Sequence, residues 1–231
     1  MKLIDMHCDT LMKLLEQPEK SLAELDAEVN LPGLKQAGSM AQFFACFTNL
    51  MDYPQPPERA YDEAYRTVLR MIERMKEEIE KAPQELALAT GAQEILDNDA
   101  AGKISAFLTV EEGGILNGRM ERLHDLYDQG IRLITLTWNY ENCLGYPNSA
   151  DPQVMGKGLK SFGVEVVEEM NRLGMLVDVS HLSDGGFWDV VRHSKKPFVA
   201  SHSCVRDLCG HTRNLNKEML KAVGELSLIH I

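Results

Sequence analysis

Leu176-Val177-Asp178-Val179-Ser180-His181 is a short apolar run that ends in a small hydroxyl residue and a histidine, and Pro197-Phe198-Val199-Ala200-Ser201-His202 repeats the design. Runs of this kind read as buried strands whose last residues leave the apolar interior. Six are expected in all: Lys2 to Met6, Ala41 to Thr48, Lys103 to Val110, Arg132 to Thr137, Met175 to Val179 and Pro197 to Ser201. Segments with helical spacing lie between them. The clearest runs from Pro57 to Ala82, where Ala60, Ala64, Val68, Met71, Ile72, Met75 and Ile79 form an apolar stripe on a charged background, as on a helix that covers a sheet. Others are expected near Ala92 to Asn98, Gly118 to Gln129, Leu159 to Leu173 and Ser183 to His193, with Gly130 and Gly174 as stops. Strands alternating with helices imply parallel βαβ units. About six such units are fewer than the eight of a closed (β/α)8 barrel, so the expected α/β fold is an open sheet or an incomplete TIM-barrel-like one.

Composition narrows the function. The chain has 231 residues, 44% hydrophobic and 26% charged, enough for one domain with a sizeable core. A formal net charge of −11, with basic residues scattered among acids, argues against a nucleic-acid partner. No apolar run approaches the roughly 20 residues that span a bilayer, and the start lacks the apolar stretch of a secretory signal. The odd, irregularly spaced Cys8, Cys46, Cys143, Cys204 and Cys209 suit a reducing compartment better than a disulfide framework. A bacterial, cytoplasmic enzyme of small-molecule chemistry is expected.

The chemistry-bearing residues gather at strand ends, where barrel enzymes build their sites. In Ile4-Asp5-Met6-His7-Cys8-Asp9, strand alternation turns His7 and Asp9 to one side, so that an imidazole and a carboxylate can share one metal ion. Phe107-Leu108-Thr109-Val110-Glu111-Glu112-Gly113-Gly114 ends in two acids and two glycines, and a carboxylate there can bridge two cations. With His181 and His202, these ends make a nitrogen and oxygen set suited to two borderline divalent ions, zinc first. His124 and His193 fall in helical stretches and read as surface or capping residues.

Taken in order, the segments Asp5-Met6-His7-Cys8-Asp9-Thr10, Gly38-Ser39-Met40-Ala41-Gln42-Phe43, Val110-Glu111-Glu112-Gly113-Gly114, Leu133-Ile134-Thr135-Leu136-Thr137, Asp178-Val179-Ser180-His181, Ser201-His202-Ser203 and Thr212-Arg213-Asn214-Leu215 resemble the membrane (renal) dipeptidase family of binuclear zinc peptidases. The resemblance implies that His7 and Asp9 bind one Zn2+, that His181 and His202 bind the other, and that Glu112, which directly precedes the glycine pair, bridges them as the catalytic carboxylate. It implies that Arg213 grips the substrate's terminal carboxylate, for which a guanidinium fork is well shaped. The implied reaction is hydrolysis of a dipeptide, one with a C-terminal D-residue included, by a hydroxide shared between the ions.

The chain departs from that pattern in two places. Trp138, followed by Asn139, stands where relatives of the renal enzyme place a substrate-contacting histidine; the metal or Asn139 then stabilises the oxyanion, or the substrate range has moved, and Trp138 serves equally as a pocket wall. The family also continues through two more strands and an aspartate that handles the leaving amine's proton. Residues 1–225 are therefore expected to form a C-terminally truncated barrel domain. The last six residues, Leu226-Ser227-Leu228-Ile229-His230-Ile231, match the translation of a sequencing-library transposon adapter and are expected to be a non-native tail. The alternatives are another amidohydrolase-like metal hydrolase, acting on lactones or N-acyl amino acids, and an inactive fragment. The expected partner is a small dipeptide, and a homodimer remains open.

Overall fold

The computed structural model describes residues 2–53 and 57–228, which divide into two compact units, Met1–Val110 with Gln129–Arg132, and Glu111–Asp128 with Leu133–Ile231. In the first, the elements are β1 (Leu3–Cys8), α1 (Thr10–Glu16), α2 (Leu31–Ala37), β2 (Ser39–Phe47), α3 (Pro57–Lys81), β3 (Leu86–Leu88), α4 (Ala92–Ala100) and β4 (Ile104–Glu111). β1 pairs with β2 and β3 with β4, both parallel. β2 and β4 are neighbours in the sheet, and the rings of Phe43 and Phe107 stack there with centroids 4.2 Å apart. The expected stripe on α3 is the face that packs against β2 and α1: Ala60, Ala64, Val68, Met71, Ile72 and Met75 are all buried.

The same helix buries an ion pair. Glu78 is 2% exposed, and its Oε1 accepts from Arg74 Nη1 at 3.0 Å and from Lys81 Nζ at 2.8 Å. Its Oε2 accepts from the backbone N–H of Leu22, while Arg74 donates to the carbonyl of Lys20. The pair thus ties the irregular segment after α1 to α3, and its buried charges are tolerable because each is hydrogen-bonded on several sides.

The second unit holds α5 (Met120–Asp128), β5 (Leu133–Thr135), α6 (Pro152–Met155), α7 (Ser161–Leu173), β6 (Leu176–Asp178), α8 (Asp184–His193) and α9 (Lys217–Leu228). β5 and β6 pair in parallel, Leu133 with Leu176 through Thr135 with Asp178. α7 stops at Gly174, whose φ of 75° is the left-handed conformation a helix terminus reserves for glycine. Gly163 lies so close to the 144 carbonyl that an added Cβ would come within 2.0 Å of it, so this position in α7 admits no side chain.

Every expected helix is present within a few residues of its expected bounds. Five of the six expected strands are present, but Pro197 to Ser201 is reduced to one parallel bridge between Asp178 and Val199. Two backbone bonds, Val179 N–H to Val199 O and Val199 N–H to Val177 O, at 2.9 Å each, are all the ladder it makes. β3 was not expected, since three residues carry no readable alternation. Residues 226–228 fall in α9, and His230 lies outside the described residues. Among the described residues no helix is long and apolar enough to cross a membrane.

Glu78→Ala takes the buried carboxylate from Arg74, which keeps only the half-exposed Glu77 at 3.0 Å, and orphans the Leu22 N–H, so it should cost about 3–5 kcal/mol in urea unfolding, whereas Glu77→Ala, whose side chain is 51% exposed, should stay within about 0.5 kcal/mol. Equal effects of the two would remove the ion pair from the account of this packing.

Candidate metal centre

In the second unit, three ligand-type side chains converge. Glu111 ends β4, and its Oε1 lies 3.0 Å from Nε2 of His181 and 3.2 Å from Nε2 of His202. The two imidazoles bring their Nε2 atoms to 3.0 Å of each other. Both nitrogens cannot carry a proton at that separation without repulsion, and a cation between nitrogen and carboxylate donors is what such a set accommodates. Burial lowers the His181 pKa, the Glu111 carboxylate opposes that, and Arg213 and His202 add to it. A neutral ring is the form that ligates.

A carboxylate beneath the histidines holds them in place. Asp178, at the end of β6, is fully buried and accepts from five donors: Thr135 Oγ1 (2.6 Å), Ser180 N (3.0 Å), Ser180 Oγ (2.8 Å), Ser201 N (3.0 Å) and Ser201 Oγ (2.6 Å). Ser201 Oγ is also 2.7 Å from Nδ1 of His202. Because the Ser201 hydroxyl gives its proton to Asp178, it accepts from His202, which puts the imidazole proton on Nδ1 and leaves Nε2 with its lone pair. Sequence reading named Asp178 only as part of a motif; its position before a Ser-His pair was the available signal.

Glu112 is placed differently from its neighbour. Its φ of 84° and ψ of 77° turn it out of the strand, and it is completely buried. Its Oε1 accepts from Gly114 N at 2.9 Å and Asn142 Nδ2 at 2.7 Å, and its Oε2 from Trp138 N at 2.8 Å. Burial raises its pKa to about 7, against the pull of these three donors. Glu112 therefore anchors the segment that carries Trp138 and Asn139. Gly113 fits because a Cβ there would lie 2.7 Å from Leu144 Cδ1 and 3.0 Å from the Leu136 carbonyl.

The expected substrate residues surround His181, which itself has a φ of 67°. Asn139 Oδ1 is 3.1 Å from His181 Nδ1, and the Trp138 ring lies tilted to the imidazole with centroids 6.2 Å apart. Arg213 donates to the His202 carbonyl and brings one guanidinium nitrogen to 2.7 Å from His181 Nε2.

In the first unit, His7 and Asp9 meet as expected, Nε2 to Oδ1 at 3.3 Å. The route differs from simple strand alternation, since β1 ends at Cys8 and Asp9 is the N-cap of α1. Its carboxylate makes no capping bond, although an aspartate there ordinarily accepts from the first turn. Cys8 turns inward and its thiol is pushed up to about 12 by burial, which removes it as a nucleophile. Of the other histidines, His124 pairs with Glu169 at 2.5 Å and His193 lies 3.6 Å from Glu168, both as ordinary ion-pairing positions.

Residues 1–230 match the family model described as membrane dipeptidase (peptidase family M19). Among solved structures, the chain resembles the dipeptidase AC, a metallo peptidase of family M19, with a TM-score of 0.86 and 27% identity over 98% of this chain and 70% of that one. It likewise resembles a metallo peptidase from Rhodobacter sphaeroides liganded with a phosphinate mimic of the dipeptide L-Ala-D-Ala, with a TM-score of 0.85 and 26% identity over 98% of this chain and 72% of the other. The probable dipeptidase PvdM from Pseudomonas aeruginosa shares the fold, with a TM-score of 0.83 at 20% identity over 96% of this chain and 57% of its own. The α/β, barrel-type fold expected from the sequence is the fold of these proteins, and the chain spans about 70% of the length of the first two. The chain belongs to the membrane dipeptidase family and is a metallopeptidase, a hydrolase of peptide bonds.

Proposed function

We propose that the chain hydrolyses dipeptides, those with a C-terminal D-residue among them, with two zinc ions, one taken by His7 and Asp9 of the first unit and one by Glu111, His181 and His202 of the second. The observation that carries this reading is the single carboxylate oxygen of Glu111 facing the Nε2 atoms of both His181 and His202. Glu111 takes the metal-facing place that the resemblance gave to Glu112, because the Glu112 oxygens are already engaged by three donors of its own surroundings. The dipeptide mimic bound by the Rhodobacter sphaeroides relative supports the substrate class. When bound, the ions polarise the scissile carbonyl and bring the pKa of a water near neutrality.

The protein's own groups do the rest. Arg213 receives the substrate's terminal carboxylate through its guanidinium fork. Asn139, held against His181, donates its amide toward the oxyanion, and Trp138 walls the pocket where a histidine is absent. Asp178 and Ser201 keep His202 in the ligating tautomer.

Elemental analysis should find two zinc ions per wild-type chain, and Glu111→Gln should lose metal and lower L-Ala-D-Ala hydrolysis by more than roughly 100-fold, beyond what outer-shell partners usually cost. Glu112→Gln should keep its metal. Full occupancy and activity in Glu111→Gln, or metal loss confined to Glu112→Gln, would return that place to Glu112. Asp178→Asn keeps the side-chain shape but turns an amide donor toward hydroxyl and N–H donors, so zinc affinity in a chelator competition should fall by roughly 10–100-fold; unchanged affinity would show that the carboxylate does not set the ligands.

A further inference from the structure

Arg213 sits on an irregular segment between the His202 turn and α9, where its N–H donates to His211 Nδ1 at 3.1 Å and its carbonyl accepts from Ser203 Oγ at 3.5 Å. Arg206 holds the residues on either side of it. Its Nε donates to the Asn214 carbonyl at 2.7 Å and its Nη2 to the Thr212 carbonyl at 2.9 Å, so one guanidinium holds the peptide oxygens on both sides of Arg213. The same fork closes on Asp184, Nη1 to Oδ2 at 2.9 Å and Nη2 to Oδ1 at 2.7 Å. Asp184 opens α8, directly after the turn that carries His181. The Arg206 backbone N–H also bonds the Leu215 carbonyl at 2.8 Å. Arg206 thereby joins the two segments that present His181 and Arg213.

We infer that Arg206, locked by Asp184, is a positioning residue for substrate recognition: it presents the Arg213 guanidinium at a fixed place beside His181, where a free C-terminal carboxylate is selected over a blocked one. The inference rests on the reading of Arg213 as the carboxylate-binding residue. The guanidinium makes four hydrogen bonds here, to two carbonyls and both oxygens of a carboxylate, where an ammonium has only three N–H donors on one nitrogen. Without it the Thr212 and Asn214 carbonyls lose their donor, and a misplacement of about 1 Å at a binding group costs up to about 100-fold.

The test compares L-Ala-D-Ala with its C-terminal amide in wild type, Arg206→Ala, Arg206→Lys, Asp184→Asn and Arg213→Ala, with zinc content measured for each. Arg206→Ala should raise KM for the free acid by about 10–100-fold, leave kcat and the amide little changed, and keep its metal. Arg206→Lys should fail to rescue it, and Asp184→Asn should give a smaller shift in the same direction. Trypsin supplies a readout independent of turnover: the Arg213–Asn214 bond should resist cleavage in wild type and be cut at least about tenfold faster in Arg206→Ala, as local opening requires. Unchanged cleavage and an unchanged acid-to-amide ratio in Arg206→Ala, while Arg213→Ala loses that ratio, would overturn the inference and leave Arg213 in its role. A ratio retained in Arg213→Ala would instead remove Arg213 from carboxylate binding. Loss of metal or of kcat in Arg206→Ala and Asp184→Asn together would make the clamp a structural brace only, and would also overturn the inference.

Discussion

A fully buried carboxylate with five donors is the constraint on which the second unit's chemistry depends. Asp178 would be costly to bury as an anion if any of its lone pairs faced apolar groups. Thr135, Ser180 and Ser201 meet that demand, and in doing so they fix the two turns that follow β6 and the Val199 bridge. His181 and His202 are the next residues in each case. The repeated Ser-His pair is therefore a consequence of one acid needing hydroxyl and N–H donors from two neighbouring chain segments. That arrangement also sets the His202 tautomer through Ser201 without any direct bond from acid to imidazole.

The backbone around this carboxylate is held in conformations that side chains resist. Glu112 and His181 both have positive φ, at 84° and 67°, and each such residue costs of order 1–3 kcal/mol. For Glu112 the compensation is visible in its three hydrogen bonds. For His181, Asn139 and the Asn148 backbone amide at 2.7 Å from its carbonyl supply it. In both places the unusual φ releases the chain from strand alternation just where a ligand-type side chain is presented. Glu111 and Glu112 diverge for this reason, one facing the histidines and the other facing Asn142 and Trp138.

That divergence marks the boundary of what the sequence could disclose. Apolar runs ending in His, Asp or Glu are legible because strand burial and site polarity change over within one or two residues. The long helix α3 is legible because six of its stripe residues repeat at helical spacing and are buried. The choice between two adjacent glutamates is not legible, since it turns on a single dihedral angle set by Gly114, Asn142 and Trp138, all contributed later in the chain. β3 and the Val199 bridge escape for another reason: at three residues or fewer, pairing is decided by neighbours and leaves no periodic trace. Arg206 and Asp184 look like surface charges in sequence, and only the grip of Arg206 on the carbonyls of Thr212 and Asn214, with Asp184 accepting from the same guanidinium, distinguishes them.

The first unit reaches its His-Asp pair by a different device. An aspartate at a helix N-cap ordinarily spends its carboxylate on the first-turn amides, worth about 1 kcal/mol. Asp9 makes no such bond and instead lies 3.3 Å from His7, with its side chain 48% exposed. A cap left unused at the end of a strand forgoes about that much stability, which the contact with His7 offsets in part. The helix still gains from the charge, because an anion at its N-terminus complements the dipole even without a hydrogen bond.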